Sequence, residues 1–298
     1  MTLVDVKPWI LQAQRECFAV GAFNANTLEQ LQAIVMAAAD EQAPVIVQIS
    51  HHALQYLGSG NPVLGMRYIA EMGRVAAESV PVPVALHLDH GTKDEVIQAI
   101  AGGFTSVMFD GDELTFEENV TTTVGLRDMA HAMGVCIEAE IGAVPRADGA
   151  EKIDHETELT RPEDAAEFAR ATGIDTLAIA IGSVHAIRYK HVSLDLERLR
   201  AIRAVVDLPL VLHGSSGVID RDIAQAIQGG ICKVNTATQL TQSFTGAIRA
   251  KLAEDTAEPD PRKYLGPARE AMREAVRARM RFLGVSGKAA GFLSGVPR

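Results

Sequence analysis

Cysteine is scarce in this chain of 298 residues. Only Cys17, Cys136 and Cys232 occur, they lie far apart, and each is set in an apolar stretch. An odd and scattered set argues against a disulfide framework and against a paired-cysteine metal site. We expect all three to be buried, unreactive thiols. Such usage is typical of a reducing compartment, so we expect a cytoplasmic protein.

The chain also lacks an excess of positive charge and long apolar runs. With 28 basic against 38 acidic residues its formal net charge is −10, which argues against nucleic acid or an anionic membrane as a partner. No apolar run approaches the roughly 20 residues that a membrane span requires, and the first residues do not resemble a secretory signal. A small phosphorylated substrate remains compatible, because helix N-termini bind phosphate locally.

What the chain does have is a regular alternation of two kinds of segment. Eight stretches are apolar and rich in β-branched residues without alternation, as in parallel strands covered on both faces. These are 18–25, 44–50, 82–91, 106–111, 135–142, 176–182, 208–214 and 231–238. Helical patterns separate them, at 27–40, 63–79, 93–101, 116–133, 162–171, 194–206 and 220–228. The alternation predicts a single (β/α)8 TIM barrel over residues 1–298, with extra C-terminal helices near 239–254 and 264–281.

Reactive groups in such barrels sit where the strands end. Asp89 and His90 end the third predicted strand, and His185 and His213 follow the sixth and seventh. One such histidine alone is more often a hydrogen-bonded core residue. Three of them beside a carboxylate predict a metal site, because histidine is the commonest zinc ligand and three protein ligands leave a position open for catalysis.

Two further carboxylates stand at strand ends. Asp110 follows the fourth predicted strand, and Glu140 lies nearer the end of the fifth than Glu138 does. Carboxylates around a metal orient its histidine ligands and neutralise its charge. We therefore assign Asp110 and Glu140 to the shell of the predicted metal.

Glycine and hydroxyl residues cluster after the sixth to eighth strands, where barrels of this kind often bind phosphate through backbone N–H groups. Tight-turn glycines and capping serines are the structural alternative. A further hydroxyl, Ser50, ends the second predicted strand. The cluster comprises residues 182–185, 213–217 and 235–238, and we expect Ser50 to contact the substrate as well.

Two other features, Lys233 and the segment 143–160, each allow two interpretations. Lys233 lies in the eighth predicted strand, where a desolvated lysine can form a Schiff base with a carbonyl substrate; a structural ion pair is the other interpretation and the one we favour. The polar segment 143–160 greatly exceeds the usual connection between a strand and a helix. It is either a lid that delivers a catalytic acid, with Asp148 and Glu151 among its candidates, or a surface loop.

Several motifs together resemble the class II, metal-dependent ketose-bisphosphate aldolases, the family of fructose- and tagatose-1,6-bisphosphate aldolases. They occur in the family's order along nearly the whole chain: Leu86-His-Leu-Asp-His-Gly, Gly103-Phe-Thr-Ser-Val-Met, Glu138-Ala-Glu-Ile-Gly, Ala178-Ile-Ala-Ile-Gly, Leu210-Val-Leu-His-Gly-Ser-Ser-Gly, Lys233-Val-Asn-Thr-Ala-Thr and Asp260-Pro-Arg-Lys-Tyr-Leu. The resemblance implies that His90, His185 and His213 hold a zinc ion or another divalent metal. Asp110 and Glu140 would lie in its outer shell, and the assembly would be a homodimer or homotetramer.

The resemblance also implies how a ketose bisphosphate would be cleaved to dihydroxyacetone phosphate and an aldehyde through a zinc-stabilised enediolate. Asp89 would transfer the proton of the C4 hydroxyl, and an acid of the long loop would protonate the enediolate carbon. An ungapped reading puts Asp148 at that acid's position. The dihydroxyacetone phosphate end, with a monovalent cation close by, would be held by Gly214, Ser216, Asn235 and Thr238.

Three positions depart from the family's pattern. Pro145 and Arg146 replace a pair of glycines at the start of the loop, and Ala186 replaces the glycine that usually follows the histidine of the sixth strand. The eighth-strand motif has Ala237 where many fructose members have aspartate, which is closer to the tagatose branch. The altered loop leaves a non-catalytic sugar-phosphate-binding barrel as one alternative, and Lys233 leaves a Schiff-base aldolase as the other.

Overall fold

The computed structural model describes residues 2–145 and 159–293. Eight strands occur in these residues: β1 Val20–Asn24, β2 Val45–Ser50, β3 Val84–Gly91, β4 Ser106–Phe109, β5 Cys136–Ile141, β6 Thr176–Ile179, β7 Leu210–Leu212 and β8 Ile231–Thr236. The helices are α1 Lys7–Glu16, α2 Leu28–Asp40, α3 His51–Leu57, α4 Pro62–Glu78, α5 Lys93–Ala101, α6 Phe116–Ala132, α7 Pro162–Thr172, α8 Leu196–Arg203, α9 Asp220–Gln228, α10 Thr238–Glu254, α11 Pro261–Leu283 and α12 Ala290–Leu293.

The strands form one closed parallel barrel in chain order, and β1 closes it by pairing with β8. Every observed strand lies inside one of the eight predicted segments, so the predicted TIM barrel with extra C-terminal helices is confirmed. The near-continuous apolar sequences follow from the architecture, because each strand is covered by helices outside and by barrel side chains inside. Nearly all strand residues are buried accordingly.

Two helices end at a pair of glycines where the chain turns back into the barrel: α5 at Gly102-Gly103 and α9 at Gly229-Gly230. Gly103, before β4, and Gly230, before β8, have φ of 87° and 108°. Those values lie in the region that only glycine adopts readily. The second glycine of each pair therefore makes the turn, and the first closes the helix.

Helices α1, α3 and α12 lie outside the predicted set. Helix α1 precedes the barrel and packs against β1 and β8, while α11 packs against α2 and α10. Of these helices, α3 is the most relevant to the predicted site, because it begins at the residue after β2 and therefore lies at the C-terminal edge of the barrel. None of the described helices combines the length and apolar character that crossing a membrane would need.

The cysteine expectation is partly wrong. Cys136 and Cys232 are buried and none of the three forms a disulfide, but Cys17 is exposed. It ends α1 in a left-handed conformation, with φ of 54°, as the helix turns towards β1. Its position at a helix end, outside the packed layer, explains the exposure.

Helices α3 and α4 approach so closely that glycine is required between them. A Cβ built on Gly65 would lie 1.9 Å from the carbonyl oxygen of Leu54, an atom of the α3 backbone. Since neither backbone can move aside cheaply, the Gly65→Ala variant should lower the free energy of unfolding by about 1–3 kcal/mol. Chemical denaturation measures the change.

Gly125 provides the matched control for that variant. It lies in the interior of α6, and a methyl group added there would have nothing within 4 Å. Gly125→Ala should raise the free energy of unfolding by about 0.5–1 kcal/mol, because alanine favours helix more than glycine does. Equal effects of the two substitutions would contradict the close packing of α3 on α4.

Candidate active site

A cavity of about 950 Å³ opens at the C-terminal ends of the strands. Ten of the residues singled out in the sequence line it: Ser50, Asp89, His90, Asp110, Glu140, His185, Gly214, Ser216, Asn235 and Thr238. His213 is fully buried directly beside them. The topology explains this convergence, because the C-terminal ends of all eight parallel strands meet at one edge of a closed barrel.

Three histidine rings meet in this cavity. The ring centroids of His90 and His213 are 4.8 Å apart, those of His90 and His185 5.2 Å, and those of His185 and His213 6.0 Å. One nitrogen from each ring can be chosen so that all three lie within 4.8 Å of one another. That spacing suits three imidazoles around a single cation.

Carboxylates behind two of the rings determine which nitrogens face inward. His90 donates through Nδ1 to Asp110 Oδ2 at 2.5 Å, and His213 donates through Nε2 to Glu138 Oε1 at 2.9 Å. In the neutral form of each ring, the hydrogen bond leaves the other nitrogen with a lone pair. These two nitrogens, His90 Nε2 and His213 Nδ1, lie 2.9 Å apart. Two lone pairs so close repel unless a proton or a metal ion lies between them, so the donor set fits a metal.

The carboxylate Glu140 adds a second sign of a cation site. Its Oε1 accepts a hydrogen bond from the backbone N–H of Val144 at 3.2 Å. Its Oε2 is buried with no hydrogen-bond partner among the described residues, 3.8 Å from His213 Nδ1. A buried, unpaired carboxylate oxygen is costly unless a cation compensates it. Burial raises the pKa of Glu140 to about 8.

Charge in the site is concentrated on His90. Burial alone would lower the pKa of His90, but the hydrogen bond to Asp110 and the charges of Asp89 and Glu140 outweigh it and raise this pKa to about 10. Burial, followed by the positive charge on His90, holds the pKa of His213 well below its ordinary value. The pocket thus stabilises positive charge among three carboxylates, which is the environment a divalent cation needs.

A bulge in β3 turns two consecutive side chains into the cavity. In a regular strand Asp89 and His90 would face opposite sides. The register between β3 and β4 shifts between Leu88 and Gly91, and His90 has φ of 53°. A residue with a Cβ in that conformation is strained. Bulges next to active sites commonly re-aim a side chain in this way, and here the bulge lets an acid and a metal-ligand candidate share one strand end.

Asp89 is held by three amide groups. Its Oδ2 accepts from Asn24 Nδ2 at 3.1 Å and from Gln48 Nε2 at 3.4 Å, and its Oδ1 accepts from Asn235 Nδ2 at 3.0 Å. Burial alone would raise the pKa of Asp89, but the charges of His90, His213 and Lys233 and the hydrogen bond from Asn24 together outweigh it, and the pKa is lowered. Asp89 is therefore an oriented, ionised carboxylate at the cavity surface.

Gln48 is a site residue that the sequence analysis missed. Its amide also donates to Asn24 Oδ1 at 2.6 Å, so it orders the group around Asp89. The available signal was a single polar residue inside an otherwise apolar strand, two positions before Ser50. Side chains two apart in a strand point to the same face, so Gln48 shares the face of a residue at the cavity.

Lys233 lies beneath the histidines and is engaged in an ion pair. Its Nζ is 3.0 Å from Glu138 Oε2 and 3.3 Å from His87 Nε2, and the lysine and the glutamate are each 1% exposed. His87 in turn contacts Ser106 Oγ through Nδ1 at 2.7 Å. This buried network supports the carboxylate that orients His213. The geometry favours the structural interpretation of Lys233 over a Schiff-base role.

The opposite side of the cavity offers backbone N–H groups. Gly214 has φ of 63°, and a Cβ there would lie 2.8 Å from the backbone carbon of Val184. A 3₁₀ turn, Ser215–Gly217, follows it, and α10 begins nearby at Thr238, where the N-cap residue Ala237 makes no side-chain cap and the N–H of Gln239 donates to Ser216 Oγ at 3.4 Å. Uncapped helix N-termini bind anions. Asn235 lies apart from this turn, against Asp89.

The long segment between β5 and α7 is anchored at both ends of its described part. At one end, the backbone N–H of His185 donates to the carbonyl oxygen of Pro145 at 2.8 Å. At the other, Thr160 Oγ1 donates to the carbonyl of Ile141 at 2.6 Å and accepts from the backbone N–H of Ala180 at 2.7 Å. The predicted acid Asp148 and its alternative Glu151, like Arg146, lie outside the described residues.

Ala186 has a left-handed backbone conformation, with φ of 64°. This is the position at which the family's usual glycine is replaced, and alanine is disfavoured there by about 1–2 kcal/mol. The residue lines the cavity next to His185. The chain thus keeps the local backbone that a glycine would adopt, at the cost of strain.

Comparison with known proteins gives concordant similarities. The family model described as fructose-bisphosphate aldolase class-II matches residues 4–288. A fructose-bisphosphate aldolase of Geobacillus stearothermophilus is 42% identical over 294 residues, which are 97% of this chain and 100% of that protein. Among solved structures, the YdjI aldolase from Escherichia coli K12 has a TM-score of 0.81 at 32% identity, covering 96% of this chain and 99% of that one. The fructose-bisphosphate aldolase of Campylobacter jejuni has a TM-score of 0.82 at 26% identity, covering 96% of both chains.

Removing the charge of Asp110 should weaken metal binding without unfolding the protein. In the Asp110→Asn variant the amide no longer stabilises His90 as an Nδ1–H donor, so its ring orientation and tautomer are less well defined. We expect a loss of about 10–100-fold in divalent metal affinity, measured by competition with a chromogenic chelator. Asp112→Asn, a neighbouring cavity residue, is the control; equal affinities of all three proteins would contradict the role of Asp110.

Metal binding should release protons at neutral pH. A histidine must be deprotonated at the nitrogen that binds the metal. The raised pKa of about 10 for His90 means that its ring carries a second proton at pH 7, which metal binding would release. Glu140, with its pKa of about 8, adds a second if its carboxylate contacts the ion. Apparent affinity should therefore rise with pH up to about 10. Calorimetry in buffers of different ionisation enthalpy counts the protons, and binding without release at pH 7 would contradict the raised pKa values.

Proposed function

Because the chain belongs to the class-II fructose-bisphosphate aldolase family, we propose that it acts through a metal site built from His90, His185 and His213. It is an aldolase, a carbon–carbon lyase for a ketose bisphosphate. We propose zinc as the metal, with tagatose 1,6-bisphosphate or fructose 1,6-bisphosphate as the substrate type. The products would be dihydroxyacetone phosphate and an aldehyde. The single observation that carries the proposal is the convergence of three histidine nitrogens beside the ionised carboxylate of Asp89.

The metal would supply Lewis-acid stabilisation for the negative charge that develops on the ketose carbonyl oxygen. The protein's own contribution is to fix the donors before substrate arrives. Asp110 and Glu138 hold the His90 and His213 rings with their lone pairs directed inward. Glu140 offers an unpaired oxygen at the same place, as an additional or alternative ligand.

Asp89 is proposed to remove the proton from the C4 hydroxyl during cleavage and to return it during condensation. Its lowered pKa keeps it ionised, and three amide donors fix its orientation. Two amide oxygens close to it, Gln48 Oε1 and Asn235 Oδ1, are buried without a donor among the described residues. Such acceptors suit a substrate rich in hydroxyl groups, which would satisfy them on binding.

The phosphate of the dihydroxyacetone half is proposed to bind at Gly214, Ser216 and Thr238. Support comes from the left-handed turn at Gly214 and from the N-terminus of α10, where Ser216 Oγ accepts the N–H of Gln239 at 3.4 Å; Gly214, Ser216 and Thr238 all line the cavity. Asn235 would contact the reacting carbons instead, since it bonds Asp89. Ser50, in register with Asp89 on the neighbouring strand, would contact the aldehyde half. A monovalent cation near the phosphate is part of the proposal.

A separate acid must protonate the carbon from which the aldehyde departs. Asp148 is proposed for this step because of its sequence position, with Glu151 as the alternative. Support from the described residues is limited to the two anchors: Pro145 lines the cavity, and Thr160 ties the other end of the segment to Ile141 at the end of β5.

Ala237 supports a tagatose-like stereochemistry at C4. It lines the cavity as the residue before α10, where a carboxylate would otherwise reach the region of the C4 hydroxyl.

We propose that the enzyme is cytoplasmic, in keeping with its three unpaired cysteines. A homodimer or homotetramer is proposed as well, since the large side chains of Tyr56 and Tyr68 on α3 and α4 are 68% and 51% exposed.

The Asp89→Asn variant separates this mechanism from binding alone. Cleavage of the ketose bisphosphate should fall by about 10²–10⁴-fold, because the C4 proton has no acceptor. Exchange of the hydroxymethyl proton of dihydroxyacetone phosphate with solvent involves no C4 hydroxyl and should fall far less. Both rates are measured on enzyme of equal zinc content, with Asp112→Asn as control.

Two outcomes would count against the proposal. Wild-type protein that binds zinc but shows neither exchange nor cleavage would support a non-catalytic sugar-phosphate-binding barrel. Equal losses of exchange and cleavage in Asp89→Asn would indicate that Asp89 has a general role in the site and not a specific role at the C4 hydroxyl. A screen of both ketose bisphosphates against wild-type enzyme then determines the preferred stereochemistry at C4.

A further inference from the structure

The chain after the metal-ligand candidate His185 forms a loop, residues 186–192, which we call the β6 loop. Neither Lys190 of this loop nor Asp220, the first residue of α9, lines the cavity. We propose that Asp220 is a positioning residue, which holds the β6 loop through an ion pair with Lys190 and thereby fixes His185. This role rests on the proposed metal site and extends it to a carboxylate outside the cavity.

The backbone next to His185 is strained and needs support from its surroundings. Ala186, the first residue of the β6 loop, has φ of 64°, which a residue with a Cβ adopts only at a cost. Such conformations persist only where the surrounding contacts over-determine them. The orientation of the His185 side chain therefore depends on the contacts that hold the loop beyond Ala186.

Backbone contacts fix the far end of the β6 loop on the residues that follow β7. The N–H groups of His191 and Val192 both donate to the carbonyl oxygen of Gly217 at 3.0 Å. The carbonyl oxygen of Val192 accepts from the N–H of Ile219 at 3.0 Å. A Cβ built on Gly217 would lie 2.4 Å from Ile187 Cγ2, so the loop packs closely on this turn. The loop therefore runs along the chain that leads into α9.

The ion pair between Lys190 and Asp220 adds a side-chain contact to this arrangement. Lys190 Nζ donates to Asp220 Oδ1, and no other ion pair of the described residues joins the β6 loop to the barrel. Asp220 stands in the first turn of α9, where the helix dipole favours a negative charge. Gln242 of α10 donates to the carbonyl oxygen of Arg188 at 3.1 Å. Two side chains outside the loop therefore hold its middle part.

A buried arginine determines the place of Asp220. Arg279 Nη1 donates to the same Oδ1 at 3.2 Å, and the arginine side chain is only 4% exposed. Arg279 Nε and Nη2 have no hydrogen-bond partner among the described residues, so Asp220 is the acceptor that compensates the buried charge. Lys190 thus pairs with a carboxylate that Arg279 already holds in place. The other buried residues of α11 are apolar: Ala268, Met272, Val276, Met280 and Leu283.

The ion pair should have a moderate effect, because both of its side chains are partly exposed. Those of Lys190 and Asp220 are 32% and 50% exposed, so water weakens their attraction. Pairs of this kind change an equilibrium by up to about fivefold. Without the pair, the β6 loop would adopt other conformations more often, and metal would bind only those that present His185 correctly. We therefore expect the metal affinity to fall about 3–5-fold when the pair is lost.

The test measures zinc affinity, by competition with a chromogenic chelator, for variants at position 190. Lys190→Met should bind zinc about 3–5-fold more weakly than wild-type protein, because the pair with Asp220 is lost. Lys190→Arg should retain the wild-type affinity, since a guanidinium group also pairs with a carboxylate. The loss in Lys190→Met should shrink in about 1 M potassium nitrate, where the Debye length is about 3 Å. A purely structural loss would not depend on salt in this way.

Asp220→Asn tests the acceptor itself. Its zinc affinity should fall at least as far as that of Lys190→Met, and combining the two substitutions should add little, because each removes the same pair. Asp220→Asn also leaves Arg279 buried without its counter-charge, so chemical denaturation of the metal-free protein is measured alongside. If this variant is unfolded, the comparison of Lys190→Met with Lys190→Arg decides the result.

Lys251→Met is the matched control, because it removes one lysine near the C-terminal end of α10 that pairs with Glu254. It should bind zinc as tightly as wild-type protein does. Equal zinc affinities of Lys190→Met and wild-type protein would overturn the inference. Equal losses in Lys190→Met and Lys190→Arg would overturn it as well, because only one of them removes the charge.

Zinc binding by the wild-type protein separates the role of Asp220 from the proposed function. Wild-type protein that binds no zinc would contradict the proposed metal site, and the role of Asp220 with it. Wild-type protein that binds zinc, together with an unchanged affinity in Lys190→Met, would overturn the role of Asp220 alone.

Discussion

The site depends on two hydrogen bonds from imidazole to carboxylate. His90 donates to Asp110 and His213 donates to Glu138, and these bonds decide which nitrogen of each ring faces the cavity. Without them each ring could present either tautomer, and the inward lone pairs would not be defined. Asp110 directly follows β4, Glu138 lies within β5, and the two rings come from the ends of β3 and β7, so the closed parallel barrel brings all four together.

The same constraint accounts for the polar layer beneath the cavity. Glu138 accepts a hydrogen bond from His213 inside the barrel, and Lys233 pairs with the same carboxyl group at 3.0 Å. A buried ion pair is a weak source of stability, since desolvation offsets most of the attraction. We interpret Lys233 as serving the orientation of a metal ligand. The strained backbone of His90 has a similar explanation, because it lets Asp89 and His90 share one strand end.

The fold and most candidate residues could be predicted from the sequence, because both follow from local patterns. Continuous apolar runs define the strands, and residues at their ends must meet at one edge. The bulge at His90 could not be predicted, because it depends on register with β4. The role of Gln48 and the hydrogen bond between His51 on α3 and Glu95 on α5 could not be predicted either, because each joins elements that are distant in sequence. The exposure of Cys17 could not be predicted either, because its apolar neighbours in the sequence do not bury it in the fold.

The central claim is that catalysis depends on a metal held by His90, His185 and His213. The most direct measurement is the rate of ketose bisphosphate cleavage after exhaustive chelation, followed by titration with zinc and with other divalent metals. We expect loss of cleavage on chelation and recovery that saturates at one metal per chain. Full activity after chelation, together with a substrate adduct at Lys233 that is trapped by borohydride reduction, would contradict the proposed metal dependence.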